Sequence, residues 1–292
     1  MQSKFEGLDT PSLFCFGFGY CAQHLSTALR PAGWEIRGTS RQILNQKDIF
    51  FFDGSCPLKD PEAFVGTTHL LVSVPPISGI DRVLECHADS LSKLPGLKWI
   101  GYLSATSVYG DTCGAWVDEQ SRLNPKTTRG VNRVNSELEW LKFGEMNSVP
   151  VQIFRLAGIY GPGRSVFDRI RGGQVRCIRA PDIFFSRIHI DDIVKVLIAS
   201  ILSPSAGAIY NLADDEPTPS SDVVEYAYAL LGQIPPTALS VDDAGLNEFE
   251  RSFYEESRRV KNTKIKEDLG VSLDYPNFRS GLKGILDQIS EI

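Results

Sequence analysis

Gly17, Gly19 and Ala22 set the first spacing in this chain that could do chemistry, and that chemistry is phosphate binding. The three follow an apolar run at 12–16 and open a stretch in which Ala22, Leu25, Ala28 and Leu29 share one side of a helix. In a strand, turn and helix of this kind, Gly17 permits the tight turn and Gly19 lets a pyrophosphate approach the backbone, while Ala22 keeps the first helical turn against the strand. The helix N-terminus at Tyr20 then turns its free N–H groups and positive dipole end toward the anion. A βα turn that binds nothing uses the same residue types, so the segments that follow decide between the two.

Those segments read as the elements that would position such a site. A strand at 34–39 ends in Ser40 and Arg41. Some ~20 residues beyond the glycines, a dinucleotide fold meets the adenosine ribose, where a carboxylate suits a 2′-hydroxyl and an arginine suits a 2′-phosphate. This position offers Ser40 and Arg41 and no carboxylate, which points to NADP, with NAD the lesser fit; a solvated surface Arg41 is the alternative. The run 48–53 reads as a strand covered on both faces, ending in Asp53, either an adenine contact or a strand-ending cap. A short helix is expected at 57–64. A strand at 68–74 would place Ser73 and Val74 along the cofactor groove, with His69 as a structural histidine. A helix at 81–94 and a strand at 97–104, ending in Ser104, complete the alternation. Such an order gives an α/β fold, a Rossmann-type doubly wound parallel sheet with right-handed crossovers.

Composition narrows the partners. The 292 residues are 42% hydrophobic and 23% charged, ordinary for a globular protein. A net charge of -6 leaves no basic excess for a broad nucleic-acid or anionic membrane face. No apolar run approaches the ~18 residues of a membrane span, so a cytoplasmic protein with a small-molecule partner is expected. The six cysteines form no CxxC pair and no zinc-like group with the four histidines, so no metal is expected.

The segment Tyr102-Leu103-Ser104-Ala105-Thr106-Ser107-Val108-Tyr109-Gly110 resembles the strand-end motif of the extended short-chain dehydrogenase/reductases, the nucleotide-sugar epimerases and dehydratases. Further resemblances follow in the family's order: Trp116-Val117-Asp118-Glu119 with Asn124-Pro125, then Phe154-Arg155 through Tyr160-Gly161-Pro162, then Arg187-Ile188-His189-Ile190-Asp191-Asp192, then Tyr210-Asn211-Leu212. The resemblance departs at the chemistry. The family carries a Ser or Thr hydroxyl and a Tyr–Lys pair; here Ala105, Arg129 and Arg133 stand at those places. Alanine has nothing to donate, and an arginine with a pKa above ~12 cannot shuttle a proton near neutrality. The pattern resembles the superfamily's atypical branch, which keeps the dinucleotide fold without the usual catalytic Tyr and Lys.

The resemblance implies roles for the remaining residues. Arg133 would reach the cofactor ribose or a phosphate, and Arg129 a substrate carboxylate or phosphate; with Glu137 at i, i+4 spacing, an ion-paired helix face is the alternative. Thr106 and Tyr109 are the candidate replacement proton donors, against a packing role. Arg155 and Arg187 would contact a phosphate or sugar acid, or form a salt bridge. Arg258 and Arg259 would contact a substrate phosphate, or form a solvated face. Asp191 and Asp192 are expected to cap a helix at 193–202, and Asp222 with Glu225 to form a capping box.

Residues 1–160 are thus expected to form an NADP-binding Rossmann domain. Residues 161–292 would form a mixed C-terminal region, partly returning to the sheet and partly forming a smaller substrate lobe. The function expected is an NADP(H)-binding oxidoreductase or epimerase-like protein acting on a nucleotide-linked or phosphorylated sugar. The alternative is a non-catalytic NADP(H) sensor or scaffold. The assembly expected, if any, is a homodimer.

Overall fold

The computed structural model describes residues 11–44 and 46–290. The chain opens with β1 (Ser12–Phe16), α1 (Tyr20–Leu29), β2 (Glu35–Ser40), β3 (Ile49–Phe51), β4 (His69–Val72), α2 (Arg82–Ser92) and β5 (Trp99–Ala105). It continues through β6 (Trp116–Val117), α3 (Thr128–Asn147), β7 (Val151–Leu156), β8 (Gly158–Tyr160) and α4 (Val166–Arg171). The last stretch holds β9 (Arg187–His189), α5 (Ile190–Leu202), β10 (Ile209–Leu212), α6 (Ser220–Leu230), α7 (Glu248–Arg251), β11 (Arg259–Val260), α8 (Thr263–Leu269) and α9 (Phe278–Ser290).

The main sheet is parallel, seven-stranded and ordered β10-β7-β5-β4-β1-β2-β3, the doubly wound arrangement that the alternation predicts. Register is set by apolar pairs such as Phe14 with Leu70 and Phe16 with Val72. Every residue of β1, β4 and β7 is buried, as expected where helices cover both faces of a parallel sheet.

The chain divides into two compact units that interleave in sequence, rather than at a single cut between 160 and 161. The first comprises the described part of Met1–Ala105, with Thr128–Arg155 and Val194–Tyr210. Its core is aromatic: Phe14, Phe16 and Phe64 meet at ring distances of 4.9–5.7 Å, and Trp140 packs beside Tyr102 at 6.2 Å. His87 lies against Phe16, and burial pushes it down to about 4, so it is neutral in the core. His69 is buried and likewise held at about 4, with its ring on Trp34, which makes it a structural histidine.

The second unit comprises Thr106–Thr127, Leu156–Ile193 and the described part of Asn211–Ile292. It holds two short parallel pairs, β6 with β11 and β8 with β9, and an apolar cluster that includes Tyr160, Phe167, Val224, Phe278 and Leu282.

Three local expectations change. The segment 57–64 forms only a 3-10 turn at Pro61–Phe64, where Asp60 accepts from the Glu62 N–H at 2.9 Å. Asp191 and Asp192 lie inside the first turn of α5, which begins at Ile190 rather than 193, and the fully buried Asp192 carboxylate accepts from the N–H groups of Asp274 (2.7 Å) and Tyr275 (3.1 Å), tying down the loop before α9. The Asp222–Glu225 capping box does not form, because α6 begins at Ser220 behind Pro219 and Glu225 turns to Arg179.

Candidate functional site

The glycine turn of the first unit is built from both sides. Gly17 sits at φ +87°, a conformation that only glycine adopts without strain. Its N–H donates to Thr39 Oγ1 at 2.9 Å, and Ser73 Oγ donates to the carbonyls of Gly17 (2.8 Å) and Phe16 (3.1 Å). A Cβ on Gly17 would stand 2.6 Å from that hydroxyl. Gly19, the N-cap of α1, has open space where its Cβ would be. Ala22 is buried under the first helical turn, and the Tyr20 ring packs on His24. The turn is therefore held rigidly beneath and left open above, which is the shape a pyrophosphate needs.

Around it, Ser40 Oγ accepts from the Gln42 N–H at 3.0 Å, and Arg41 is exposed with no carboxylate at ion-pair distance among the described residues. Asp53 is exposed, and its carboxylate accepts from the N–H (2.9 Å) and hydroxyl (2.6 Å) of Ser55, which hold it below the usual carboxylate range. Val74 packs against the core, half-buried. Thr39, at the strand end that offers Ser40 and Arg41 to the ribose, spends its hydroxyl on the turn, and nothing local marks Gly38, where a Cβ would meet Phe18 Cδ2 at 2.8 Å and the Cys15 carbonyl at 2.9 Å.

At the end of β5 the hydroxyl of Ser104 donates to Glu137 at 2.5 Å, and Glu137 also receives Arg155 through Nε (3.1 Å) and Nη2 (2.7 Å). Both ionic partners are only 2% exposed. Ser104 and Arg155 are thus placed in an internal network rather than against an open surface, unlike the cofactor and substrate contacts expected of them. Glu137 turns inward, so the i, i+4 ladder with Arg133 does not form. Arg133 instead donates through one nitrogen to the Leu103 carbonyl (2.8 Å) and the Tyr102 hydroxyl (3.0 Å), with its guanidinium 5.7 Å from the Tyr102 ring centre. Burial raises the Tyr102 phenol, against the pull of Arg133, so it stays protonated and acts as an anchor. In a strand buried on both faces the alternation gives no hint of which hydroxyl meets a helix, so nothing local marks Tyr102. Arg129 is exposed in the first turn of α3.

In the second unit Thr106 and Tyr109 form a buried 3-10 turn. The Tyr109 hydroxyl donates to Asn211 Oδ1 at 2.7 Å, and Tyr109 is 1% exposed. The Asn211 N–H in turn donates to Glu119 at 2.7 Å, whose carboxyl burial raises. Arg258 donates to Glu256 (2.7 Å) and to the Gly110 carbonyl (2.8 Å), which commits it internally. Arg259 lies flat on the Phe184 ring at 3.7 Å, a preorganised guanidinium with no carboxylate at ion-pair distance among the described residues. Arg187 donates to the carbonyls of Phe185 (2.8 Å) and Thr218 (3.0 Å).

Asp214 is the unexpected residue of this unit. It is 1% exposed, one carboxyl oxygen lacks a hydrogen-bond partner, and burial pushes it up to about 8 against the pull of Arg187. A hollow of about 290 Å³ beside it is lined by Trp116, Asp215, Val260, Lys261, Asn262 and Thr263. Because the folded pKa of Asp214 is raised, its contribution to stability is complete below the unfolded value near 4 and is lost as the pH rises through about 8. Asp214→Asn should therefore raise the melting temperature by a few degrees at pH 8 and little at pH 4. Equal shifts at both pH values in a calorimetric scan would contradict this.

Among the described residues no group of three or more His, Cys, Asp or Glu could hold a metal, and no helix is long and apolar enough to cross a membrane.

No family model matches the chain. A functionally unknown conserved protein from Silicibacter pomeroyi superposes with a TM-score of 0.88 at 44% identity, covering 96% of this chain and 99% of that one. MoeE5 in complex with UDP-glucuronic acid and NAD gives a TM-score of 0.76 at 19% identity over 96% and 99%. The human epimerase family protein SDR39U1 with NADPH gives 0.71 at 16% identity over 95% and 99%. The two distant likenesses carry the fold, and the near one carries kinship. The chain belongs to the same family as the Silicibacter pomeroyi protein.

Proposed function

We propose that this chain binds NADP(H) at the glycine turn of its first unit and acts as an oxidoreductase or epimerase-like enzyme on a nucleotide-linked or phosphorylated sugar. The observation that carries the cofactor reading is the turn itself, where Gly19 leaves a cradle open above a backbone fixed by Thr39 and Ser73. Those residues fit a dinucleotide: Gly17, Gly19, Tyr20 and Ala22 would hold its pyrophosphate. Ser40 and Arg41 would take the 2′-phosphate, while Asp53, Ser73 and Val74 would border the same groove. NADPH supplies a hydride when bound. Arg133, fixed by Tyr102 and Leu103, would donate to the cofactor's ribose in place of the lysine ammonium.

The distant fold relatives support this reading by their own ligands, NADPH for one and NAD with a UDP-sugar for another. Arg41→Ala should weaken NADPH binding at least tenfold and NADH binding less than twofold, measured by fluorescence titration. Equal losses would refute the choice of NADP.

A second reading, a sensor or scaffold without turnover, is favoured by one observation: the Tyr109 hydroxyl is spent on buried Asn211. Incubation with NADP+ or NADPH and a panel of nucleotide sugars, followed by cofactor absorbance for net hydride transfer and chromatography of the sugars for epimerisation, separates the two. A new sugar product or a change of cofactor absorbance on any of them supports the enzyme, whereas tight cofactor binding with neither across the panel supports the sensor.

A further inference from the structure

The loop that follows β3 lies against α2, and each carries a cysteine. Residues 54–56 form bends rather than a strand or helix. At one end of the loop the Cys86 thiol donates to the Gly54 carbonyl at 4.0 Å, and a Cβ on Gly54, at φ +84°, would stand 3.0 Å from Arg82 Cβ, one helical turn before Cys86. At the other end the Leu58 N–H donates to His87 Nε2 at 3.4 Å. Cys56 stands two residues from each anchor, and two residues span at most about 7 Å. The chain on both sides of Cys56 is thus tied to adjacent residues of one helix, Cys86 and His87.

Both sulfurs are thiols, Cys56 exposed and Cys86 half-buried. Burial pushes the Cys86 thiol up, with Glu85 and then Cys56 adding to the rise, so the two lie within electrostatic reach of one another. A disulfide holds its Cα atoms about 4.4–6.8 Å apart, and a bend can close to that distance without breaking a regular element. Ser55, between Asp53 and Cys56, gives that approach a consequence. Its N–H and hydroxyl hold the Asp53 carboxylate at 2.9 and 2.6 Å. Drawing Cys56 onto α2 moves Ser55 and loosens the clamp.

We propose that Cys56 and Cys86 are a dithiol that a small-molecule disulfide converts into an intramolecular disulfide, and that the cross-link lowers NADPH affinity by disturbing the Asp53 turn after β3. The effect on NADPH rests on the proposed cofactor reading; the cross-link does not. The exposed Cys56 thiolate attacks one sulfur of the oxidant, forming a mixed disulfide, and the departing small thiolate takes up the proton that Cys56 gave. The Cys86 thiolate then attacks the Cys56 sulfur and expels the second small thiol, which takes the Cys86 proton. Two protein thiols have lost two electrons and two protons, and the small disulfide has gained them. Cys86, half-buried and held protonated, reacts second, with the sulfur that Cys56 delivers beside it. The two cysteines are too far apart in sequence to read as a CxxC pair.

The test treats full-length wild type, Cys56→Ser and Cys86→Ser with oxidised glutathione under native conditions, blocks the remaining thiols with N-ethylmaleimide, and maps unreduced peptides by mass spectrometry. Wild type should yield a peptide pair joining Cys56 to Cys86 that dithiothreitol separates. Cys86→Ser should stop at glutathione on Cys56, and Cys56→Ser should leave Cys86 unmodified. Fluorescence titration should then show NADPH bound about fivefold more weakly by oxidised than by reduced wild type, with Cys56→Ser unaffected by the treatment. Glutathione retained on Cys56 of wild type as in Cys86→Ser, or no reaction at Cys56, overturns the pair. A cross-link that leaves NADPH affinity unchanged overturns its effect on the cofactor. A cross-link in a protein whose reduced form binds no NADPH upholds the pair and sinks the cofactor reading.

Discussion

Glu137→Ala is expected to lower stability by about 3–5 kcal/mol, because it strips a buried guanidinium of its counter-ion. Glu137 holds Arg155 through two oxygens and also receives the Ser104 hydroxyl, all within a region that excludes water. Removing the acid takes the carboxylate from both donors at once, and the cost of a buried charge without its counter-ion exceeds the net worth of the pair. Replacing the two partners together, as Glu137→Leu with Arg155→Met, should recover a large part of the loss, since an apolar pair of similar volume carries no desolvation penalty. Urea unfolding of the single and double variants checks this. A double variant as unstable as Glu137→Ala would mean that the network does more than neutralise itself.

Gly17→Val should abolish cofactor binding, by at least a hundredfold in affinity. The residue's φ of +87° strains any side chain, and the added Cβ would sit 2.6 Å from the Ser73 hydroxyl. That hydroxyl cannot simply swing away, because it is bonded to the carbonyls of Phe16 and Gly17. The turn must move instead, and with it the N–H groups above it. The stability cost is about 1–3 kcal/mol, small enough for the fold to persist, and circular dichroism should show unchanged helix content. Retained NADPH affinity in a folded Gly17→Val protein would place the cofactor elsewhere.

The strands and the glycine turn were legible because their signals are local. A buried parallel strand writes itself as an apolar run, as in 12–16 and 68–74, and a left-handed turn demands glycine at Gly17. What stayed hidden depends on partners far along the chain. Arg155 reads as a lone cation until Glu137, eighteen positions earlier, is seen to turn inward onto it. Tyr109 reads as a free phenol until Asn211 meets it from 102 positions away. Arg133 stands where the lysine was expected, but its direction is set by Tyr102, a hydroxyl that no periodicity singles out. Of Arg258 and Arg259, adjacent and alike in sequence, the first is consumed by Glu256 and the second lies open on Phe184. Side-chain type announced which chemistry was available, and only packing decided where it was spent.

Fluorescence titration of the wild-type chain with NADPH and NADH, beside Gly17→Val, tests the central claim most directly. Saturable NADPH binding, tighter than NADH and lost in Gly17→Val, is the result expected. No saturable binding of either nucleotide would contradict the account.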